Sequence, residues 1–216
     1  MAERNDMTEI DLLVGSMCTT SPKEDRETYE EEQSWLSDIQ ELLLEEGIEV
    51  DLLSRPGVEI WEGGIARFND LYSLRLAAAR LEEGHGVGEL PDVDDVETPD
   101  PVLVAIFEGT KPTRFAHLIN HQGEGGYYLP VDFPEPIWIE FGDDEEFDDE
   151  ESSDDEPEDM VVSFGSSVGL QRELLELESL LQRDGVPAEH RIVRCLRVLR
   201  NAADQSVANE LPITVW

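Results

Sequence analysis

The chain has 216 residues, 39% of them hydrophobic, with 52 acids against 15 bases and a formal balance of −37. That length suits one substantial core, so a single domain over 1–216 is expected. A surface this acidic disfavours direct contact with nucleic-acid phosphates or an anionic membrane, and no apolar run approaches the length of a bilayer span.

The N-terminus, MAERNDMTEIDLL, lacks a basic region followed by an apolar one, so a cytoplasmic protein is expected. Glu9 to Gly15 reads as a buried strand. A helix is predicted from about Glu24 to Glu46, with Tyr29, Trp35, Leu36, Ile39, Leu42, Leu43 and Leu44 at helical spacing and Gly47 to end it. Ile48 to Leu53 then reads as a strand, which gives a strand–helix–strand unit. Val58 to Trp61 is a short strand that Gly63-Gly64 breaks, and Asn69 or Asp70 caps a helix through Leu81 that ends at Gly84.

Residues 83–101 read as a polar surface loop. The run Asp92, Asp94, Asp95 and Glu97 lacks the glycine and terminal glutamate spacing of a calcium loop. Gly84-His85-Gly86-Val87-Gly88 follows a helix, the wrong context for a dinucleotide loop. Val102 to Phe107, VLVAIF, gives the clearest buried strand. One or two helical turns are predicted over 114–121, then extended pieces at Tyr127 to Val131 and Ile137 to Phe141. Thirteen acids lie between Asp143 and Asp159, a low-complexity stretch with too little apolar area to fold, so a flexible insertion over 142–159 is expected.

The fold resumes at Val161 to Phe164, a strand able to pair as a hairpin with the one before the insertion. Ser166 or Ser167 caps a helix from Val168 to about Gln182, and a last helix runs from about Ala188 to Ala203. Arg191, Arg194, Arg197 and Arg200 form a basic stripe on it, read as a source of internal salt bridges. Ile213 to Trp216 is expected as an edge strand. Cys18 and Cys195, far apart in sequence, are expected as reduced thiols, the second in the core.

The segments HLINHQGEGGYYLPVDF and GSSVGLQRELLELESLL resemble a family of uncharacterised bacterial proteins. Its pattern is a histidine-bearing segment, a Gly-Tyr-Tyr-x-Pro-Val-Asp-Phe strand and a Gly-Ser-Ser turn capping a Leu-rich helix. Here these are His117 and His121, Gly126 to Phe133, and Gly165 to Leu177; Gln122-Gly123-Glu124-Gly125 departs from the Asp-Gly ending of the pattern. The resemblance implies a folded domain and supplies no activity.

Two sets of candidate residues stand out. His117 and His121, four apart, would share a helical face and could bind a metal, with Glu124 or Asp132 adding a carboxylate; the simpler use is packing and hydrogen bonding in the core. Tyr127, Tyr128, Asp132 and Trp138, with Asp143, Asp144, Glu145 and Glu146, are candidates for binding a partner. Gly165-Ser166-Ser167 lacks the lysine of a phosphate loop, so capping is its simpler role.

Removing the thirteen clustered acids still leaves 39 against 15, and only Lys23 and Lys111 are lysines. A salty solvent, a basic partner and mimicry of a nucleic-acid backbone each account for such charge. The expected architecture is α/β (α+β being the variant): one mixed sheet of five to seven strands, covered by about four helices. The leading expectation is a non-catalytic acidic protein, such as an immunity or inhibitor protein that recognises a basic protein partner. No cofactor and no direct nucleic-acid binding are expected. The alternatives are a salt-adapted enzyme or metal-binding domain built on His117, His121 and Asp132, and a nucleic-acid mimic.

Overall fold

In a computed structural model, residues 10–88, 90, 100–123, 125–141 and 160–216 are described. One mixed sheet of six strands organises them: β1 (Ile10–Gly15), β2 (Glu59–Ile65), β3 (Tyr127–Leu129), β4 (Ile137–Phe141), β5 (Met160–Ser166) and β6 (Ile213–Val215). Their order is β2-β1-β6-β3-β5-β4. Only β3 and β5 run parallel. Six helices accompany the sheet: α1 (Arg26–Glu45), α2 (Phe68–Glu82), α3 (Pro101–Phe107), α4 (Ala116–Ile119), α5 (Ser167–Arg183) and α6 (Arg191–Asn209). The class is α/β with a mixed sheet, as the pattern predicts. The expected insertion over 142–159 and the acids at 92–97 lie outside the described residues.

The sheet separates two cores because alternate strand residues face opposite ways. Tyr128, Ile213 and Val215 join β1 side chains in the larger core, under α2, α3, α4, α5 and α6. Leu129, Ile139 and Phe164 point to the other face, where Leu36, Ile39 and Leu43 of α1 meet them. These three α1 side chains are wholly buried, each contributing roughly 1.5–3 kcal/mol. Cys18 and Cys195 are free thiols in different cores.

Several elements depart from the sequence pattern for physical reasons. VLVAIF is helix α3, not a strand. The Asp100 carboxylate accepts the Val102 N–H, and Pro101 occupies the first turn, where its missing donor costs nothing. Ile48 to Leu53 is not a strand either. Leu52 N–H donates to Gln40 Oε1, and Leu53 and Ser54 N–H donate to Asp51 Oδ1, so side chains serve a backbone that a neighbouring strand would have served. The strand that follows α1 is β2 instead, and it pairs antiparallel with β1.

Gly63-Gly64 does not break β2. The Trp61 ring lies over Gly63, where a Cβ would come within 2.4 Å of it. The last strand is not an edge: β6 sits between β1 and β3 and joins the two halves of the sheet. Helix α2 begins at Phe68 without a side-chain cap, ahead of Asn69 and Asp70. β4 and β5 do pair antiparallel, Ile137 opposite Phe164 and Glu140 opposite Val161.

Truncating Leu36→Ala removes a buried anchor of α1. The expected loss is about 2–5 kcal/mol, read as a lower urea midpoint with an unchanged slope.

Candidate functional site

The histidine segment folds into a buried knot. Both rings are about 1% exposed. His117 Nε2 lies 2.8 Å from the Phe133 carbonyl, while its Nδ1 accepts the Ser166 N–H at 3.1 Å. His121 Nε2 lies 3.1 Å from the Tyr127 carbonyl, and its Nδ1 accepts the Gly123 N–H. A nitrogen that accepts an N–H carries no proton, so both imidazoles are neutral Nε2–H tautomers. All four ring nitrogens are used on backbone groups, and a metal would have to displace those bonds. Glu124, the first candidate carboxylate, lies outside the described residues. Asp132, the second, is exposed and paired with Arg172 at 2.7 Å, which holds its carboxyl below the usual range. Among the described residues, no group of three His, Cys, Asp or Glu is placed to hold a metal.

Glu173 completes the knot. Its carboxylate accepts the His117 and Leu118 N–H groups at 2.9 and 2.8 Å, at the start of α4. Burial pushes its pKa up to about 8, against the pull of those two donors. Arg75 donates to the Leu118 and His121 carbonyls at 2.8 and 2.7 Å. Tyr128 is buried, stacks on His121 with ring centroids 3.9 Å apart, and donates its hydroxyl to the His117 carbonyl. The glycines leave room for these rings. A Cβ on Gly169 would lie 2.2 Å from His117 Cδ2, and one on Gly165 2.5 Å from Tyr128 Cδ1. Ser166 caps α5 through Gly169 N–H, and Ser167 meets Ser206 at 2.7 Å. The His, Gly-Tyr-Tyr and Gly-Ser-Ser segments are thus one packing unit, in which both imidazoles, Glu173 and the Tyr128 hydroxyl are hydrogen-bonded to backbone groups, while the buried Asn120 Oδ1 has no hydrogen-bond partner.

The other candidates separate. Tyr127 is half-buried and stacks on Phe164 in the core beneath α1. Trp138 is half-exposed on β4. Asp143, Asp144, Glu145 and Glu146 lie outside the described residues.

The surface carries a feature that charge counting alone did not localise. Arginines gather on the side of α2, α5 and α6, where acids answer them: Arg114 with Glu176 at 2.6 Å, Arg191 with Asp70 at 3.4 Å, and Arg200 with Glu178. Of the basic stripe on α6, Arg191 and Arg200 make internal salt bridges as expected, while Arg194 and Arg197 are exposed. Helix α1, on the opposite face of the sheet, has seven acids against one base, Arg26, which pairs with Glu30. Glu27, Glu31, Asp38, Glu41 and Glu45 succeed one another by 4, 7, 3 and 4 residues, which sets them on one stripe. All five are exposed, opposite the buried Leu36, Ile39 and Leu43, and none has an ion-pair partner among the described residues. The stripe covers about 27 Å of helix axis at 1.5 Å per residue. One turn of B-DNA is about 34 Å long.

A family model described as "Putative DNA-mimic protein" matches residues 8–215. The chain belongs to this family. No curated protein and no solved structure matches it. The matched span contains the histidine, Gly-Tyr-Tyr and Gly-Ser-Ser segments, in keeping with the expected uncharacterised family. Membership in the DNA-mimic family corrects the leading expectation of an immunity or inhibitor protein directed at a basic protein: it points to nucleic-acid mimicry. The expected partner is corrected with it: the family description points to DNA-binding proteins in place of an unspecified basic protein. No helix among the described residues is long and apolar enough to cross a membrane.

The knot makes two predictions. Gly169→Ala forces its methyl into the His117 ring and is expected to cost about 1–3 kcal/mol, measured by urea denaturation. Burial and the nearby Arg75 lower the His121 pKa to about 3, from 6.5. The unfolded chain therefore binds the extra proton first, and the contribution of His121 is fully present above pH 6.5 and lost progressively toward pH 3. The stability difference between the wild type and His121→Asn is expected to shrink over that window. A difference independent of pH would contradict the neutral, buried assignment.

Proposed function

We propose that the protein is a nucleic-acid mimic that occupies the DNA-binding surface of a DNA-binding protein. The observation that carries this reading is the outward stripe of α1. Its five carboxylates stand on a rigid element that the sheet holds from behind, with no cation set against them among the described residues. A DNA strand presents one charge per about 3.4 Å of axis, so the stripe alone has about half that linear density. Glu46 and Glu49, both exposed, add charge beside it. A DNA-binding surface is built to neutralise such a row with lysine and arginine, releasing counterions as it does so. The family to which the chain belongs supports the same reading.

Carboxylates on a helix differ from phosphates in one useful respect. They are fixed in position by folding, so the mimic binds without the cost of bending or melting a duplex. The reading requires no catalytic group. It also accords with the use of arginine over lysine: arginine serves the fixed internal pairs of the α2, α5 and α6 side, and among the described residues the five carboxylates of the stripe are left without an ion-pair partner.

Tagged protein incubated with native lysate is expected to retain DNA-binding proteins, and excess duplex DNA is expected to release them. Replacing Glu27, Glu31, Asp38, Glu41 and Glu45 by glutamine should weaken retention by roughly tenfold or more and flatten its salt dependence. Retention that duplex DNA does not reverse, or that the glutamine variant keeps in full, would overturn the assignment to this face.

A further inference from the structure

The sheet leaves an apolar spot uncovered at its β4 edge. On β4, Ile137 and Ile139 face α1, so Trp138 and Glu140 face the opposite way. Trp138 is 50% exposed, and Val161 of β5, directly opposite Glu140, is 37% exposed. Trp138 pairs with Ser163, which is fully buried, so the tryptophan stands at the margin of the covered region, where the helix layer ends. A tryptophan is costly to leave half in water; its full burial would hide about 150–250 Å². The surroundings select the kind of group that covers it. Glu140, two residues on and about 7 Å along the strand, is exposed and has no ion-pair partner among the described residues. An anionic group would be repelled by the Glu140 carboxylate and a purely apolar one would leave it without a partner, whereas a cation with a flat, weakly hydrated face satisfies both side chains.

We propose that Trp138 and Glu140 receive an arginine side chain of the DNA-binding partner. This deepens the mimic reading and rests on it. Arginine stacks on aromatic faces and binds carboxylates bidentately, while lysine is a compact, strongly hydrated charge. Tryptophan is the best aromatic receiver of a cation. DNA-binding proteins use arginine in two ways, against phosphates and against the edges and faces of bases. Trp138 beside Glu140 offers both in one place: a π surface where a nucleotide has its base, and an anion where it has its phosphate. The pair lies on the edge strand and faces away from α1, so it adds a preference for arginine at a place separate from the carboxylate stripe.

The test uses the full-length protein as competitor against duplex DNA bound by a deca-arginine or a deca-lysine peptide. The wild type is expected to displace DNA from deca-arginine at the lower concentration. Trp138→Ala should raise the amount needed against deca-arginine by about three- to tenfold, with little change against deca-lysine. Trp138→Phe should recover part of the loss. Trp216→Ala, another half-exposed tryptophan, is the control and should behave as wild type. Equal effects of Trp138→Ala on both peptides, or none on either, would overturn the proposal. A wild-type dimer that Trp138→Ala dissolves in sedimentation would also overturn it, by making the patch a contact between two copies. Failure of the mimic reading shows separately: duplex DNA would then not release retained proteins from the wild type, whatever happens at Trp138.

Discussion

The architecture depends on a neutral imidazole held between two backbone groups. His117 reaches the Phe133 carbonyl with one nitrogen and the Ser166 N–H with the other. It thereby fixes the segment after β3 against the junction of β5 and α5. Glu173 then ties α5 to the first turn of α4. In a low-dielectric interior each of these bonds is strong, and each would be costly to leave unmade. The Leu129, Ile139 and Phe164 platform beneath α1 stands on the strands that this knot aligns. The acidic helix is therefore presented by a rigid support, and the chemistry-bearing histidines that the sequence displays so plainly are part of that support.

The sequence carried the outline of the fold and little of the site. Long helices with clear periodicity, α1 and α5, were legible because an amphipathic stripe repeats over several turns. The hairpin of β4 and β5 was legible across the intervening acids because both strands alternate. VLVAIF was not, since a six-residue apolar run has no period to distinguish helix from strand. The Asp100-Pro101 start and the Gly109 end carried the missing information. The place of β6 between β1 and β3 was hidden because three residues at the end of a chain say nothing about their neighbours. His117 and His121 attracted attention as a pair four apart, yet α4 is only four residues long. The packing role of Gly165 and Gly169 depends on rings that come from elsewhere in the chain.

The site was missed for a different reason. A balance of −37 is a sum, and a sum does not show where cations sit. Folding places most arginines on one side of the sheet and pairs many of them there, which leaves α1 with carboxylates and almost nothing to oppose them. The signal was present in the spacing of Glu27, Glu31, Asp38, Glu41 and Glu45, but it becomes a surface only once Leu36, Ile39 and Leu43 show which way the helix faces.

Unneutralised carboxylates in such number have a competing cause, a solvent so salty that the folded state requires them. The most direct measurement is therefore folding as a function of potassium chloride, followed by circular dichroism from a few millimolar to molar. A mimic whose acids await a partner should be fully folded at low salt, with a modest gain in stability as salt screens self-repulsion. A chain that unfolds unless salt approaches molar would contradict the account, because the carboxylates of α1 would then serve the solvent and not a DNA-binding surface.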